Sequence, residues 1–328
     1  MATKIVIITD AWDPQVNGVV TTYKNIIKNT SNPIEVIHPG MFKNSAFPFY
    51  KGIDIASCSY EQMKTILLNY KGVNFHIATE GPLGFQARRV LNNLGIQYTS
   101  AYHTKFPEFI NKMYKIPVWM TRWYFDWFHK KSKLVMCSSA SNAKENKQWK
   151  SVVLGKGYDE HFKFALRKKS LKKTLLFVSR VSKEKNIEDF CKLPNFWGMY
   201  EFDKIVVGDG PEKEKLQKKY PNIKFVGYKF GEELASYYQN ADVFVFPSKS
   251  DTYGIVILES MACGTPVAAY PVTGPIDQII NGKNGYVDDD LLFAVVNCLS
   301  IDRMNTYATV KNINWKNSAK QFVKYAEE

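Results

Sequence analysis

The feature that most constrains this chain is a recurring one: short, mainly apolar runs of strand length, each followed by a turn and then by a stretch with helical spacing. The pattern starts twice. Lys4-Ile-Val-Ile-Ile-Thr9 runs into Asp10, and Thr174-Leu-Leu-Phe-Val-Ser179 runs into Arg180, so each opens a sheet of its own. Ile34–Ile37, Phe75–Ala78, Tyr98–Ala101 and Leu134–Cys137 follow the first, and Lys204–Val207, Ile223–Val226, Val243–Phe246 and Val267–Ala269 follow the second. A strand that is apolar on both faces must be covered on both faces, which parallel sheets flanked by helices achieve. The 328 residues suffice for two such units. The expectation is two doubly wound Rossmann-like α/β domains. Domains of this kind bind ligands outside the carboxyl ends of their strands, which puts the chemistry in the turns after strands.

The joint between the two is expected where charge is dense and apolar periodicity stops, at Ala165-Leu-Arg-Lys-Lys-Ser-Leu-Lys-Lys173. The formal net charge is +13, and most of the excess lies in the first half, where residues 1–160 hold 20 basic against 11 acidic side chains. Such asymmetry suits an anionic partner, either nucleic acid or an acidic membrane surface, and equally a lysine-rich solubilising surface. No apolar run reaches the ~18 residues of a membrane span. Ile5–Ile8 is too short for the core of a secretory signal, so a cytoplasmic chain is expected. Cys58, Cys137, Cys191, Cys263 and Cys298 are scattered without a CxxC pair, and the histidines lack metal-ligand spacing, so neither disulfides nor a metal centre is expected.

Three turns after strands carry candidate chemistry. After the first strand, Asp10-Ala-Trp-Asp-Pro-Gln-Val-Asn17-Gly18 leads into a helix over Thr21 to Ile27, and a glycine there lets backbone N–H groups approach an anion. After Ser179, Arg180 and Lys185 supply a bidentate fork and a point charge suited to a diphosphate; their spacing fits a solvated charge run as well. Val206-Val-Gly208-Asp-Gly210-Pro211 ends a strand in glycines. The third turn is the most informative. In Asp251-Thr-Tyr-Gly254-Ile-Val-Ile-Leu-Glu259, a helix beginning after Gly254 places Glu259 in its second turn and Asp251 in the loop before it. Two carboxylates then flank the free N–H groups of Gly254, Ile255 and Val256. That set could grip a sugar hydroxyl, a phosphate and a ribose diol.

Asp251-x7-Glu259 resembles the glutamate-x7-glutamate signature of retaining glycosyltransferases with the GT-B fold, in the large family that includes lipid mannosyltransferases and sulfolipid synthases. The likeness extends to Glu80-Gly-Pro-Leu-Gly84, Ala101-Tyr-His-Thr-Lys-Phe-Pro-Glu108, Gly155-Lys-Gly-Tyr-Asp159, Tyr270-Pro-Val-Thr-Gly-Pro275 and Trp315 before Ala319-Lys-Gln-Phe322. The resemblance implies two Rossmann-like domains facing across a cleft: residues 1–164 on the acceptor side, 165–312 on the nucleotide-sugar side, and 313–328 as a terminal helix returning to the first. It implies a hexose donor activated as GDP-sugar or UDP-sugar, with no further cofactor. Asn17, Gly18, Gly208, Gly210, Gly254, Ile255, Val256 and Glu259 would bind the donor, Glu259 at the ribose. Arg180 and Lys185 would hold the diphosphate, Asp251 would meet a sugar hydroxyl, and His103 would face the reacting sugar. Attack from the leaving-group face, with the departing phosphate taking the acceptor's proton, needs no protein nucleophile. Two departures stand out: Asp251 replaces the commoner glutamate, and Lys156 stands where relatives often carry arginine.

Trp119, Trp123 and Trp127 fall at i, i+4 and i+8 beside Arg122, Lys130, Lys131 and Lys133. They fit a core stripe or an interfacial helix that meets lipid headgroups from the inner membrane face. The leading expectation is transfer of mannose or glucose to a lipid or glycolipid acceptor. The alternatives are a glycosyltransferase acting on DNA or a soluble glycan, and an inactive nucleotide-sugar-binding module.

Overall fold

The computed structural model describes residues 3–15, 17–46, 54–103, 105–167 and 172–328. Val16, Thr104 and residues 168–171 of the expected joint lie outside the described residues. The chain forms two compact units, Met1–Lys156 with Trp315–Glu328, and Gly157–Asn314.

In the first unit the strands are β1 (Ile5–Ile8), β2 (Ile34–Ile37), β3 (Lys43–Ala46), β4 (Asp54–Ser57), β5 (Asn74–Ile77), β6 (Tyr98–Tyr102), β7 (Val135–Cys137) and β8 (Ser151–Val153). The helices are α1 (Gly18–Lys28), α2 (Tyr60–Leu68), α3 (Pro82–Asn93), α4 (Phe106–Tyr114), α5 (Val118–His129) and α6 (Ala140–Glu145). The main sheet is parallel, in the order β2-β1-β5-β6-β7-β8, while β3 and β4 form a separate antiparallel pair. β1 is an interior strand beside the edge strand β2, in register with Ile34 on one side of Ile5 and Asn74 on the other, and all four of its side chains are fully buried. The order reverses between β1 and β5, the place where such sheets open for a ligand.

The second unit holds β9 (Lys172–Val178), β10 (Phe196–Trp197), β11 (Tyr200–Val207), β12 (Lys224–Phe225), β13 (Val243–Phe246), β14 (Val267–Ala269) and β15 (Gly285–Val287). Its helices are α7 (Ile187–Lys192), α8 (Lys213–Lys219), α9 (Gly231–Asn240), α10 (Ile255–Ala262), α11 (Pro275–Gln278), α12 (Leu291–Cys298) and α13 (Arg303–Ala308). The sheet order is β10-β11-β9-β13-β14-β15; β12 also pairs with β11, and only β10 runs antiparallel. The reversal here lies between β9 and β13. It brings the turn carrying Arg180 beside the turn leading to Asp251.

The final helix, α14 (Trp315–Glu327), buries Trp315, Ser318, Ala319, Phe322 and Ala326 along one face, with Phe322 edge-on to Tyr23 and His76 of the first unit. The frontier differs from the expected one, since residues 157–164 belong to the second unit. Phe162 is buried there against Tyr238, and Phe164 lies beside Tyr307. The charge run does not mark the joint, since its last lysine, Lys173, is buried in β9, and the packing boundary falls eight residues before the expected one, at Lys156.

Candidate active site

In the second unit, Lys185 closes a short 3-10 turn after β9, and its Nζ lies 2.6 Å from Asp251 Oδ1. Burial pushes the Asp251 carboxyl up, but the adjacent Lys185 ammonium outweighs it and holds the pKa below the usual carboxylate value. Asp251 Oδ2 is buried without a hydrogen-bond partner, an acceptor left for a ligand. Three residues on, Gly254 takes φ +81° and starts α10, where a Cβ would come within 3.0 Å of the Phe246 ring. No side chain caps α10, so the first-turn amides of Ile255 and Val256 can face an anion. Glu259 follows in the second turn. Tyr238 OH donates to its Oε2 at 3.0 Å, and burial pushes its pKa up to about 7.

Gly208 and Gly210, expected at the donor, have a packing role in the unit. Gly208 N donates to Gly227 O at 2.8 Å and Gly210 N to Asp209 Oδ1 at 2.7 Å, so both amides are already spent inside the unit. A Cβ at Gly208 would stand 1.9 Å from Ser179 O, and one at Gly210 would stand 2.4 Å from Val181 O. These glycines let the turn after β11 lie directly on the turn after β9, which fixes the backbone on both sides of Arg180.

In the first unit, Asn17 is the N-cap of α1: its Oδ1 accepts from Val19 N at 3.0 Å and Val20 N at 3.1 Å. Two amides expected to face a donor phosphate are thereby satisfied by Asn17 itself. Gly18 is exposed, and a Cβ there would meet nothing within 4 Å, so no internal packing demands glycine at this position.

His103 lies at the half-buried end of a polar chain that the sequence did not announce. Tyr23 OH is 2.7 Å from His76 Nε2 and 2.9 Å from His103 Nε2; the other ring nitrogens meet Thr99 Oγ1 at 2.8 Å and Ser138 Oγ at 3.2 Å. Burial, reinforced by the nearby Lys156 charge, holds both imidazoles well below the usual histidine pKa and keeps them neutral. Both nitrogens of His103 therefore have partners within the unit. Its expected contact with a sugar must replace one of those bonds or use the ring's C–H edge. The signal for this chain was a histidine inside the otherwise apolar run Phe75-His-Ile. Lys156 is buried, with Nζ lacking a hydrogen-bond partner, and desolvation lowers its pKa to about 7.

Asp10, the first residue of the turn after β1, has a role that the sequence motif does not show. Its carboxylate accepts from Leu83 N, Gly84 N and Thr79 Oγ1, and burial raises its pKa to about 6. It ties the turn after β1 to the start of α3. A Cβ at Gly81 would meet Asp10 Cγ at 2.5 Å, which explains the first glycine of the Glu80-Gly-Pro-Leu-Gly84 run.

The tryptophans divide. Trp119 and Trp123 are 74% and 70% exposed and adjoin exposed Ile116 and Met120, whereas Trp127 turns inward with the Arg88 guanidinium 3.5 Å from its ring centre. Each step of four residues advances about 40° around a helix of 3.6 residues per turn, so by the third member the stripe has rotated toward the core. Lys115, Lys130, Lys131 and Lys133 are exposed nearby in sequence, while Arg122 pairs with Glu108 at 2.9 Å. No helix among the described residues is long and apolar enough to cross a membrane, and no group of three or more His, Cys, Asp or Glu among them could hold a metal ion.

Residues 158–290 match the family model described as glycosyl transferases group 1. The chain is 26% identical to a GDP-mannose-dependent alpha-mannosyltransferase of Corynebacterium glutamicum, over 87% of this chain and 76% of that protein. It is also 26% identical to the alpha-monoglucosyldiacylglycerol synthase of Streptococcus pneumoniae, over 99% of this chain and 85% of that protein. In structure it resembles the sucrose-phosphate synthase of Thermosynechococcus elongatus, with a TM-score of 0.74 and 16% identity over 99% and 98% of the two chains. The matched segment contains Arg180, Lys185, Asp251, Gly254 and Glu259. The chain thus carries a glycosyl transferases group 1 domain within a two-domain Rossmann-like fold of the GT-B type.

Proposed function

We propose that this chain is a retaining hexosyltransferase that moves mannose or glucose from a nucleotide-diphosphate sugar to a glycolipid or lipid acceptor at the inner face of a membrane. The observation that carries the reading is the array around α10: Asp251 with a free buried oxygen, uncapped amides at Ile255 and Val256, and half-buried Glu259 held by Tyr238. Glu259 grips the ribose diol, and the α10 amides with Arg180 and Lys185 hold the diphosphate. Asp251 orients Lys185 and meets a sugar hydroxyl through Oδ2. As the sugar–phosphate bond breaks, positive charge grows at the anomeric carbon and negative charge on the leaving diphosphate. Fixed cations and amides stabilise that leaving group without reorganising, so the reaction needs no metal. The departing phosphate oxygen takes the acceptor's proton, and the sugar keeps its anomeric configuration.

The named activity of the Corynebacterium relative supports a hexose donor, and that of the Streptococcus relative supports a lipid acceptor. The exposed Trp119 and Trp123, with lysines on either side, favour a membrane over DNA as the anionic partner, because indole rings settle at lipid headgroups while lysines meet anionic lipid. A thermal-shift panel of GDP, UDP, ADP and their sugars tests the donor site. At 100 times its Kd the right nucleotide adds ~2.7 kcal/mol of apparent stability. No shift with any nucleotide, and no release of nucleotide from any sugar donor, would overturn the reading.

A further inference from the structure

Beside the turn after β1, at the carboxyl ends of β1 and β2, the first unit has a recess of about 190 Å³ with Trp12, Asp13, Pro14, Gln15, Gly40 and Asn44 in its wall. Its lining combines one large aromatic face with a carboxylate and two primary amides. The Trp12 ring is braced by His38, 6.1 Å away and tilted 33°, and Lys24 Nζ anchors the Asp13 carboxylate at 2.5 Å. Gly40 leaves room where a side chain would crowd the wall, since a Cβ would come within 3.0 Å of the His38 ring. His38 Nδ1 is buried without a hydrogen-bond partner next to this wall.

A pyranose ring has an apolar C–H face and a rim of hydroxyls. The first stacks on an indole, and the second needs carboxylate and amide partners converging from the side. A diacylglycerol offers a single hydroxyl and two apolar chains, for which a small recess with Asp13, Gln15 and Asn44 in its wall is a poor container. From this match, and resting on the hexosyl-transfer reading above, we infer that the recess around Trp12 binds a sugar ring of the acceptor. The enzyme then extends an already glycosylated lipid and does not place the first sugar on bare diacylglycerol.

Octyl glucoside and octyl mannoside serve as sugar-bearing probes, and dioctanoylglycerol as the sugarless one, with the donor that the thermal-shift panel selects. At least one glycoside should be used at least ~10-fold better in kcat/KM than dioctanoylglycerol, a difference of ~1.4 kcal/mol. Trp12→Ala should raise the KM for that glycoside at least ~10-fold, with Trp12→Phe restoring most of it because a stacking face remains. Asn44→Ala, at an exposed position that does not burden folding, should raise the same KM by ~3–10-fold through loss of one polar partner. Equal use of dioctanoylglycerol and the glycosides would overturn the inference. So would a Trp12→Ala or Asn44→Ala effect confined to the donor's KM, which would make the recess part of the donor site. A wild-type chain that binds no nucleotide and turns over no donor would instead fail at the level of hexosyl transfer itself.

Discussion

Lys185 Nζ and Asp251 Oδ1 lie 2.6 Å apart, joining the turn after β9 to the loop before α10. The pair is half-buried, so neither charge is fully screened, and each fixes the other's position. Lys185→Ala removes a preorganised stabiliser of the leaving diphosphate and leaves a partly buried carboxylate beside it. Transfer should fall by at least ~10²-fold, read as kcat from nucleotide release at saturating donor. A rate within a few-fold of wild type would make Lys185 a surface charge.

Glu259 makes nucleotide binding pH-dependent. Burial raises its pKa from 4.5 to about 7, so the free protein holds it largely protonated below that pH, and binding a ribose diol to the carboxylate must first release the proton. Affinity for the nucleoside diphosphate should decline as pH drops below about 7, by up to ~10-fold per unit. Glu259→Gln should flatten this profile, and Glu259→Ala should weaken binding at pH 8 by about 2–4 kcal/mol. Titration calorimetry at pH 5.5, 7 and 8.5 reads both effects.

Acid also weakens the fold, through Lys156. Its pKa falls from 10.5 in the open chain to about 7 when buried. Below about pH 7 the folded protein carries a desolvated ammonium at full cost, and that cost is relieved as pH rises from about 7 toward 10.5. Lys156→Met should therefore stabilise the protein by about 2–4 kcal/mol at pH 7 and by less than about 1 kcal/mol at pH 10. Urea unfolding at the two pH values measures the difference, and a gain independent of pH would show that the ammonium is solvated.

The tryptophans of α5 should separate by function. Replacing Trp119 and Trp123 together with alanine should change stability by no more than about 0.5 kcal/mol for each while reducing sedimentation with anionic vesicles. Residual binding by the lysines should weaken with added salt. Trp127→Ala, which removes a ring packed on Arg88 and Phe85, should cost about 3 kcal/mol in chemical denaturation. Normal vesicle binding by the double variant would remove α5 from the membrane contact.

Legibility tracked how local each cause was. β13 and β14 span the residues expected, and β1 and β9 match theirs to within a few residues, because a wholly apolar run between turns leaves few other options. The start of α10 after Gly254 was equally plain. β8, β10 and β15 are only two or three residues long, too short to show a period, and they exist because a neighbouring strand offers an edge. The site divided along the same line. Asp251, Gly254 and Glu259 lie within nine residues, and their relation is one of helix geometry. The engagement of His103 by Tyr23, 80 residues away, and of Gly210 by Val181 is a tertiary fact, so residues of the right type were visible while their partners were not.

The first unit is interrupted: its last helix, α14, is separated from the rest by the whole of Gly157–Asn314. Ala319, Phe322 and Ala326 belong to the same core as Ile5, Tyr23 and Ile26. On the ribosome, therefore, the earlier-made unit cannot close its core until the later one has emerged entire. The second unit, continuous in sequence, can complete itself first. Between those two moments one side of the nascent first unit stands open, a window in which a chaperone would find Tyr23, Ile5 and Ile7 uncovered. A circular permutant that begins at Trp315 and runs through a short linker into Met1 would abolish that wait, and pulse-labelled nascent chains of the two versions should differ in how early residues 1–156 become protease-resistant.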